Sequence, residues 1–485
     1  MPNIIQGGNI TVTEPKVTGG ILNIRHNFIK QERDRLFEHV RVTDPRGDKA
    51  RIIRTAGTIL QDSYSWFLDT DTFARWRDND ESVLWLSGNP GKGKTILICA
   101  AIEALQKLDP PVNVSFFFCQ ATNDRLNTPT AVLRGLIYLL ALQQESLASH
   151  IRKKYDEAGQ PLFEDQNAWD ALSEVLVNIL KDPGLKRTYL IVDALDECKF
   201  KELPYLLEFI KQNTSPLAKW AISSRHDPLI SERISRYPSL TSFNLEDEHH
   251  AKHISNAVRH YIDDRLSNLD SIKDNPDLHR ELRGIMQEKS QGTFLWIAHV
   301  VKELETAYEW DMMKVVKETP KDLHQVYAQM MQQIKLLPRQ NPELCRRTLK
   351  AAAAASRPLH LDELRILAGL PEAIAKRPKY VEKVVKMCHC FITIEDGMVH
   401  IVHQTARDFL LKDLFDTGEH EKKAQDASDT KMVLSPEGIK GQYSVMLSRS
   451  LNAMSLTLRR GVYDLKDPDH PIVLVNTPDN DPLAA

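Results

Sequence analysis

Short apolar runs alternate with helix-period stretches over the first half of the chain. "VLWL" (Val83–Leu86), Tyr189–Val192 and "KWAISS" from Lys219 read as short buried strands, and "VNVSFFFC" (Val112–Cys119) and "LTSFNL" (Leu240–Leu245) complete a set of five. Helical stretches separate most of them, beginning with "ILICAAIEAL" (Ile96–Leu105), as crossovers between parallel strands require. The pattern predicts an α/β domain with a five-stranded parallel sheet.

After Leu245 the period changes. Ile254, Val258, Tyr261, Ile262 and Leu266 recur at helical spacing, and "TFLWIAHVVKELE" is a second apolar helix. "LCRRTLKAAAAASRPLHLDELRILAGL" reads as two helices broken at Pro358. "FITIEDGMVHIV" reads as two short strands around the turn pair Asp396-Gly397, with a helix from about Gln404. Helices plus a small hairpin predict a winged helix. The stretch "KDLFDTGEHEKKAQDASDTKMVLSPEG" is charged and poor in apolar residues, a linker by composition. Beyond it Leu447, Leu451, Met454 and Leu458 share one helix face, which needs a partner, most simply the winged helix.

These shifts divide the chain into a flexible segment over 1–24, a helical lead-in over 25–60 and a nucleotide-binding domain over 61–246. A helical domain over 247–325, a winged-helix domain over 326–413, a charged linker over 414–440 and an amphipathic helix with its tail over 441–485 follow.

Chemistry concentrates at the ends of the predicted strands. Gly88, Asn89, Pro90, Gly91, Lys92, Gly93, Lys94 and Thr95 fit G-x-x-x-x-G-K-[ST], and Ile96 opens the helix behind them. Glycines let the loop curl so that its N–H groups face phosphates, and the helix N-terminus adds a favourable dipole. Lys94 would reach the β- and γ-phosphates and the Thr95 hydroxyl would bind magnesium. In "TYLIVDALDEC", Asp193 ends a strand where an acid faces the ligand crevice, so it would hold Mg2+ through water. Asp196 or Glu197, more readily Glu197, would orient or activate a hydrolytic water. Arg225 ends the strand in "KWAISSRHD" and is either a γ-phosphate sensor or a surface arginine. No N-K-x-D occurs to read guanine, so ATP/ADP is the favoured ligand.

Composition narrows the class without naming it. With 485 residues, 42% hydrophobic and 27% charged, the chain has material for roughly three domains. A net charge of -3 gives no electrostatic case for nucleic acid or an anionic membrane. No apolar run is long enough to span a bilayer, and "MPNIIQGGNI" lacks the features of a signal peptide. The six cysteines read as reduced, buried thiols of a cytoplasmic protein, and the Cys388–Cys390 "CHC" fits no zinc template.

These stretches carry a family resemblance. "RVTDPRGDKARI", "LWLSGNPGKGKT", "YLIVDALDEC", "ISSRHD", "GTFLWIAHVV" and "VHQTARDFLL" resemble the NACHT nucleotide-binding module of fungal NOD-like receptors, a group related to heterokaryon-incompatibility proteins. The resemblance implies a signal-transducing ATPase with numerous domains, an ATP/ADP switch in which the sheet domain, a small helical domain and a winged helix close on the nucleotide. It implies His403 as a ligand to the β-phosphate of ADP, against the plainer role of a packing or capping histidine. Relatives use a glycine-x-proline step against adenine where this chain has Gly292, Thr293 and Phe294, so Phe294 either stacks on the base or is core.

Similar proteins continue into repeat domains, and no repeat period occurs here, so a truncated sequence and a short regulator are both open. "IIQGGNITV" and "TGGILNI" loosely resemble amyloid signalling motifs and offer a route to a downstream effector; a plain flexible tail is the other reading. A latch needs domains that close over nucleotide, and these are predicted. One histidine–phosphate bond is worth roughly 1.5–3 kcal/mol, whereas reversing a 99:1 equilibrium takes about 5.5 kcal/mol. Domain packing must supply the rest. The expectation is a slow ATPase switch that self-associates when open. An AAA-type remodelling ATPase and a non-hydrolysing scaffold are the alternatives.

Overall fold

The computed structural model describes residues 35–56, 64–415 and 438–457, except 80, 165, 166, 200, 274, 389 and 390. The segment 1–24 and most of the charged linker therefore lie outside the described residues. Five strands form the predicted sheet: β1 (Val83–Ser87), β2 (Asn113–Phe118), β3 (Thr188–Asp193), β4 (Ala218–Ser224) and β5 (Leu240–Asn244). All pairings are parallel, in the order β2-β3-β4-β1-β5. Every residue of β1 to β4 is buried, because helices cover both faces. At the edge, β5 has exposed Ser242 between buried Thr241 and Phe243. Register aligns the strand ends, with Ser87 opposite Ser224 and Phe118 opposite Asp193, so the loops after β1, β3 and β4 emerge along one edge. Gly135, in the helix Pro129–Gln143, lets that helix lie close on β2, since a Cβ there would overlap the Phe117 ring.

At the opposite edge Lys219 is fully buried. Its ammonium donates to the carbonyls of Trp76 (2.7 Å), Glu81 (3.0 Å) and Asn79. It thus caps the C-terminal end of the helix Asp71–Asp78, where backbone acceptors lack helical partners. Trp76 Nε1 donates back to the Trp220 carbonyl at 2.9 Å. The helix Asp71–Asp78 is fastened to the sheet by a charged bond, not by apolar packing alone.

The second half follows the helical expectation. The helix Glu248–Ser267 buries Ile254, Val258, Ile262 and Leu266, and Phe294–Leu304 buries Trp296, Ile297 and Val300. Helices Asn341–Ala354 and Leu361–Leu367 flank a short strand, β6 (Leu359–His360). This strand joins the hairpin of β7 (Ile392–Glu395) and β8 (Met398–Ile401) in a three-stranded antiparallel sheet. The hairpin turns on Asp396 and Gly397, both at positive φ (50° and 77°), as a tight two-residue turn requires. The helix Gln404–Phe415 completes the winged helix.

One expectation is corrected. The helix Gly438–Thr457 does dock on the winged helix, but through the face carrying Gly441, Val445, Arg449 and Ala453. Arg449 Nη1 donates to the Leu367 carbonyl at 2.7 Å, at the end of a winged-helix helix. Leu447, Leu451 and Met454 point outward, 61%, 57% and 47% exposed, so they do not form the docking face. A charged bond to free helix-end acceptors, not the apolar stripe, sets the helix's rotation. Leu458 lies outside the described residues.

Candidate functional site

The loop after β1 curls at Gly91 (φ 73°) and Gly93 (φ 89°), left-handed conformations that glycine adopts without strain. Gly93 caps the helix Lys94–Gln106, whose N-terminal amides therefore open toward the strand edge. Lys94 curls over the loop and donates to the Gly88 carbonyl at 2.7 Å and the Asn89 carbonyl at 3.0 Å. Burial lowers its pKa, against the opposing pull of Asp196 and Asp193. The Asn89 amide donates to Glu246 Oε1 at 3.0 Å.

The helical region sits directly on this loop. Phe294 N donates to the Gly91 carbonyl at 2.8 Å, and Lys92 Nζ donates to the Gln291 carbonyl at 2.6 Å. A Cβ at Gly91 would lie 2.8 Å from Leu295 Cβ, and one at Gly93 would lie 3.3 Å from the Phe294 ring. The glycines therefore serve a close domain contact as well as the loop's curvature.

Asp193 ends β3 and is buried beside β4, where Ser223 Oγ donates to its Oδ1 at 2.5 Å. Burial raises its pKa, and hydrogen bonds from Ser223 and Thr95 pull the other way. Ala194 follows in a left-handed conformation (φ 53°) and turns the chain into Leu195–Glu197. This turn sends its two acids to different partners. Asp196 Oδ1 accepts from the Arg225 amide at 2.9 Å, and Oδ2 accepts from Arg225 Nε at 2.5 Å. Glu197 Oε2 accepts from the Ala121 amide at 2.9 Å, in the loop after β2. Burial pushes the Glu197 carboxyl up to about 7, with the Ala121 bond opposing.

The winged helix reaches the same edge. Thr405 N donates to His403 Nδ1 at 3.1 Å. Burial, then the cations of Lys94 and Arg225, push the His403 pKa down to about 4. The imidazole is thus neutral near pH 7, and a bond accepted at Nδ1 places its one proton on Nε2 as a donor. Arg407 Nη1 donates to the Ala121 carbonyl at 2.6 Å, and Asp408 Oδ2 lies 3.7 Å from Arg225 Nη1. Asp124 N donates to the Ser356 carbonyl at 2.6 Å, joining loop and winged helix again.

The structure therefore gathers Gly88–Ile96, Asp193, Asp196, Glu197, Arg225 and His403 along one edge. The set suits a polyphosphate with magnesium: a glycine cradle, an ammonium, an aligned hydroxyl–carboxylate pair and a neutral imidazole donor. Thr95 and Asp193 would supply two oxygens to Mg2+, which takes the rest from phosphates and water. Glu246, Ala121, Arg407 and Asp408 were missed from sequence. Arg407 and Asp408 lie inside "VHQTARDFLL", but nothing in that stretch says what they touch.

Two family models match: the N-terminal region of nephrocystin 3 over residues 62–225, and the winged-helix domain of GPI inositol-deacylase over 327–423. The chain is 42% identical over 457 residues to vegetative incompatibility protein HET-E-1 of Podospora anserina. The match covers 93% of this chain and 33% of that protein, so the chain spans about a third of its relative's length. Solved structures overlap more loosely. A signal transduction ATPase with numerous domains and a tetratricopeptide sensor, from Pyrococcus horikoshii, has a TM-score of 0.40 at 12% identity over 77% of this chain and 43% of that one. A Walker-type ATPase of Pyrococcus abyssi has a TM-score of 0.34 at 14% identity over 70% of this chain and 93% of that one. Overlap at that level carries no argument about function. The P-loop sheet, the winged helix and the sequence identity along nearly the whole chain together establish that it belongs to the fungal heterokaryon-incompatibility family of NACHT proteins.

Proposed function

We propose that this chain is the ATP/ADP-gated switch of a cytoplasmic fungal incompatibility or innate-immune signalling protein, with slow hydrolysis and self-association on opening. The observation that carries the reading is the docking of the winged helix on the edge that holds the phosphate loop, with His403 beside Lys94 and Arg225, Arg407 on Ala121 and Asp408 facing Arg225. Three consecutive regions of the chain thereby close on one edge of the sheet. The loop amides and Lys94 would bind the phosphates. His403 Nε2–H would donate to the β-phosphate of ADP. Magnesium, when bound, supplies charge neutralisation at the phosphates.

Glu197 is the base in this reading, because both Asp196 oxygens are committed to Arg225. It would take a proton from a water whose oxygen attacks the γ-phosphorus, while the bond from that phosphorus to the β,γ-bridging oxygen breaks and ADP leaves. Asp196 holds Arg225 in place to sense the γ-phosphate. The whole assembly, including an effector reached through residues 1–24, belongs to this proposal.

The deciding experiment is to purify the chain and identify its bound nucleotide. Copurified ADP with turnover well below about one per second supports the latch. Lys94→Ala is expected to abolish binding. Retained micromolar ADP affinity in that variant would refute the site, and rapid multiple turnover would favour a remodelling engine instead.

A further inference from the structure

We propose that Arg407 is a positioning residue through which the docked winged helix withholds Glu197 from water. The inference rests on the reading of Glu197 as general base. It adds a physical link between domain closure and the chemical step.

The link runs through both backbone groups of one residue. Arg407 Nε donates to the Ala353 carbonyl at 3.0 Å and Nη2 to the Ala355 carbonyl at 3.1 Å, both within the winged helix. Nη1 leaves that domain and donates to the Ala121 carbonyl at 2.6 Å, the shortest of the three bonds. The amide of the same residue donates to Glu197 Oε2 at 2.9 Å. Among the described residues Ala121 has one weaker side-chain contact besides, with Asn127 Nδ2 at 3.5 Å from its carbonyl. The guanidinium is the strong, charged donor that holds this residue in place.

A carboxylate that accepts a peptide N–H has one oxygen committed and is a weaker base. Undocking the winged helix removes Nη1 from Ala121, and it removes the second bond between loop and domain, Asp124 to Ser356, in the same motion. The loop after β2 is then free to release Glu197. The next residue acts on the other acid: Asp408 faces Arg225, which grips Asp196. Consecutive winged-helix residues thus reach both acids of the Leu195–Glu197 turn.

Arg407→Gln isolates the contact. Glutamine carries its amide nitrogen where arginine carries Nε, so a donor for Ala353 survives and the reach to Ala121 is lost. In the full chain with ADP, hydrogen–deuterium exchange over residues 119–126 should quicken roughly tenfold, with strand Asn113–Phe118 unchanged. Single-turnover ATP hydrolysis should rise roughly three- to tenfold, and that rise should vanish in a Glu197→Gln background. Unchanged exchange, an unchanged or lower rate, or a rise that persists without Glu197 would each overturn the proposal.

If Arg407→Gln does not fold, the parent chain in mild urea decides. Protection of 119–126 should be lost together with that of Val402–Leu411, and loss of the second while the first stays protected overturns the link. Failure of the nucleotide-site reading is separate: it would be nucleotide retained by Lys94→Ala, which leaves the exchange result standing.

Discussion

Asp408 and Arg225 meet across the seam between the winged helix and the sheet, with Oδ2 3.7 Å from Nη1. The same guanidinium holds Asp196 through Nε at 2.5 Å, so the domain contact is made to an arginine already fixed by the sheet domain. Both partners are partly exposed, which limits the pair to less than about 1 kcal/mol. Asp408→Asn should therefore speed release of a fluorescent ADP by no more than about fivefold at physiological salt. The difference from the parent should shrink in 1 M salt, where the Debye length is about 3 Å. A much larger, salt-independent effect in stopped flow would mean that Asp408 does more than face Arg225.

His403 should matter more. Its loss removes a donor worth roughly 1.5–3 kcal/mol to a charged phosphate, or about ten- to a hundredfold in ADP off-rate. His403→Ala should release ADP faster and show larger species by size exclusion. The pH dependence has a definite sign. The folded value of about 4 lies below the ordinary 6.5, so the unfolded chain binds the extra proton first. Closed-state stability from this group is complete above about pH 6.5 and falls as pH drops toward 4. Denaturant titrations at pH 7 and pH 5 should show that slope in the parent and a weaker one in His403→Gln.

Glu197 sets a pH profile of rate, not of stability. With its carboxyl pushed up to about 7, half of the protein would carry a protonated, inactive base near neutrality. Single-turnover hydrolysis should rise between pH 6 and pH 8 and level off above. Glu197→Gln should lower the rate on the order of a hundredfold and flatten the profile. A parent profile that is flat from pH 6 to pH 8 would remove Glu197 from the role.

Far from the site, Lys219 provides a test of the fold. Lys219→Met would fill similar volume yet leave the carbonyls of Trp76, Asn79 and Glu81 without their charged donor. The expected loss is on the order of 3 kcal/mol in urea denaturation, with nucleotide affinity unchanged at temperatures where the chain stays folded. A loss under about 1 kcal/mol would mean that water satisfies those groups.

Some of this was legible in the residues and some was not. The sheet was legible because its strands are short, largely apolar runs separated by helical stretches, and the loop Gly88–Thr95 because its function and its spacing reside in one stretch. The hairpin was legible because Asp396-Gly397 supplies the two positive φ angles itself. Lys219 was not: it opens the run "KWAISS", where a lysine ordinarily faces water, and only the arrival of a helix end from elsewhere buries it. The docking of Phe294 on Gly91 joins residues about two hundred positions apart through backbone, which no periodicity encodes. The outward stripe on Gly438–Thr457 misled for a related reason. Periodicity identifies an apolar face but not whether a better polar contact, here Arg449 on Leu367, claims the helix first.

The tie at position 121 is made of main chain, and this decides how it can be found. Both of its functional atoms are present whichever side chain other than proline stands there, so most drift at this position would be silent and side-chain truncation would pass straight over it. Scanning with proline, which deletes the N–H, or replacing the amide by an ester would detect it.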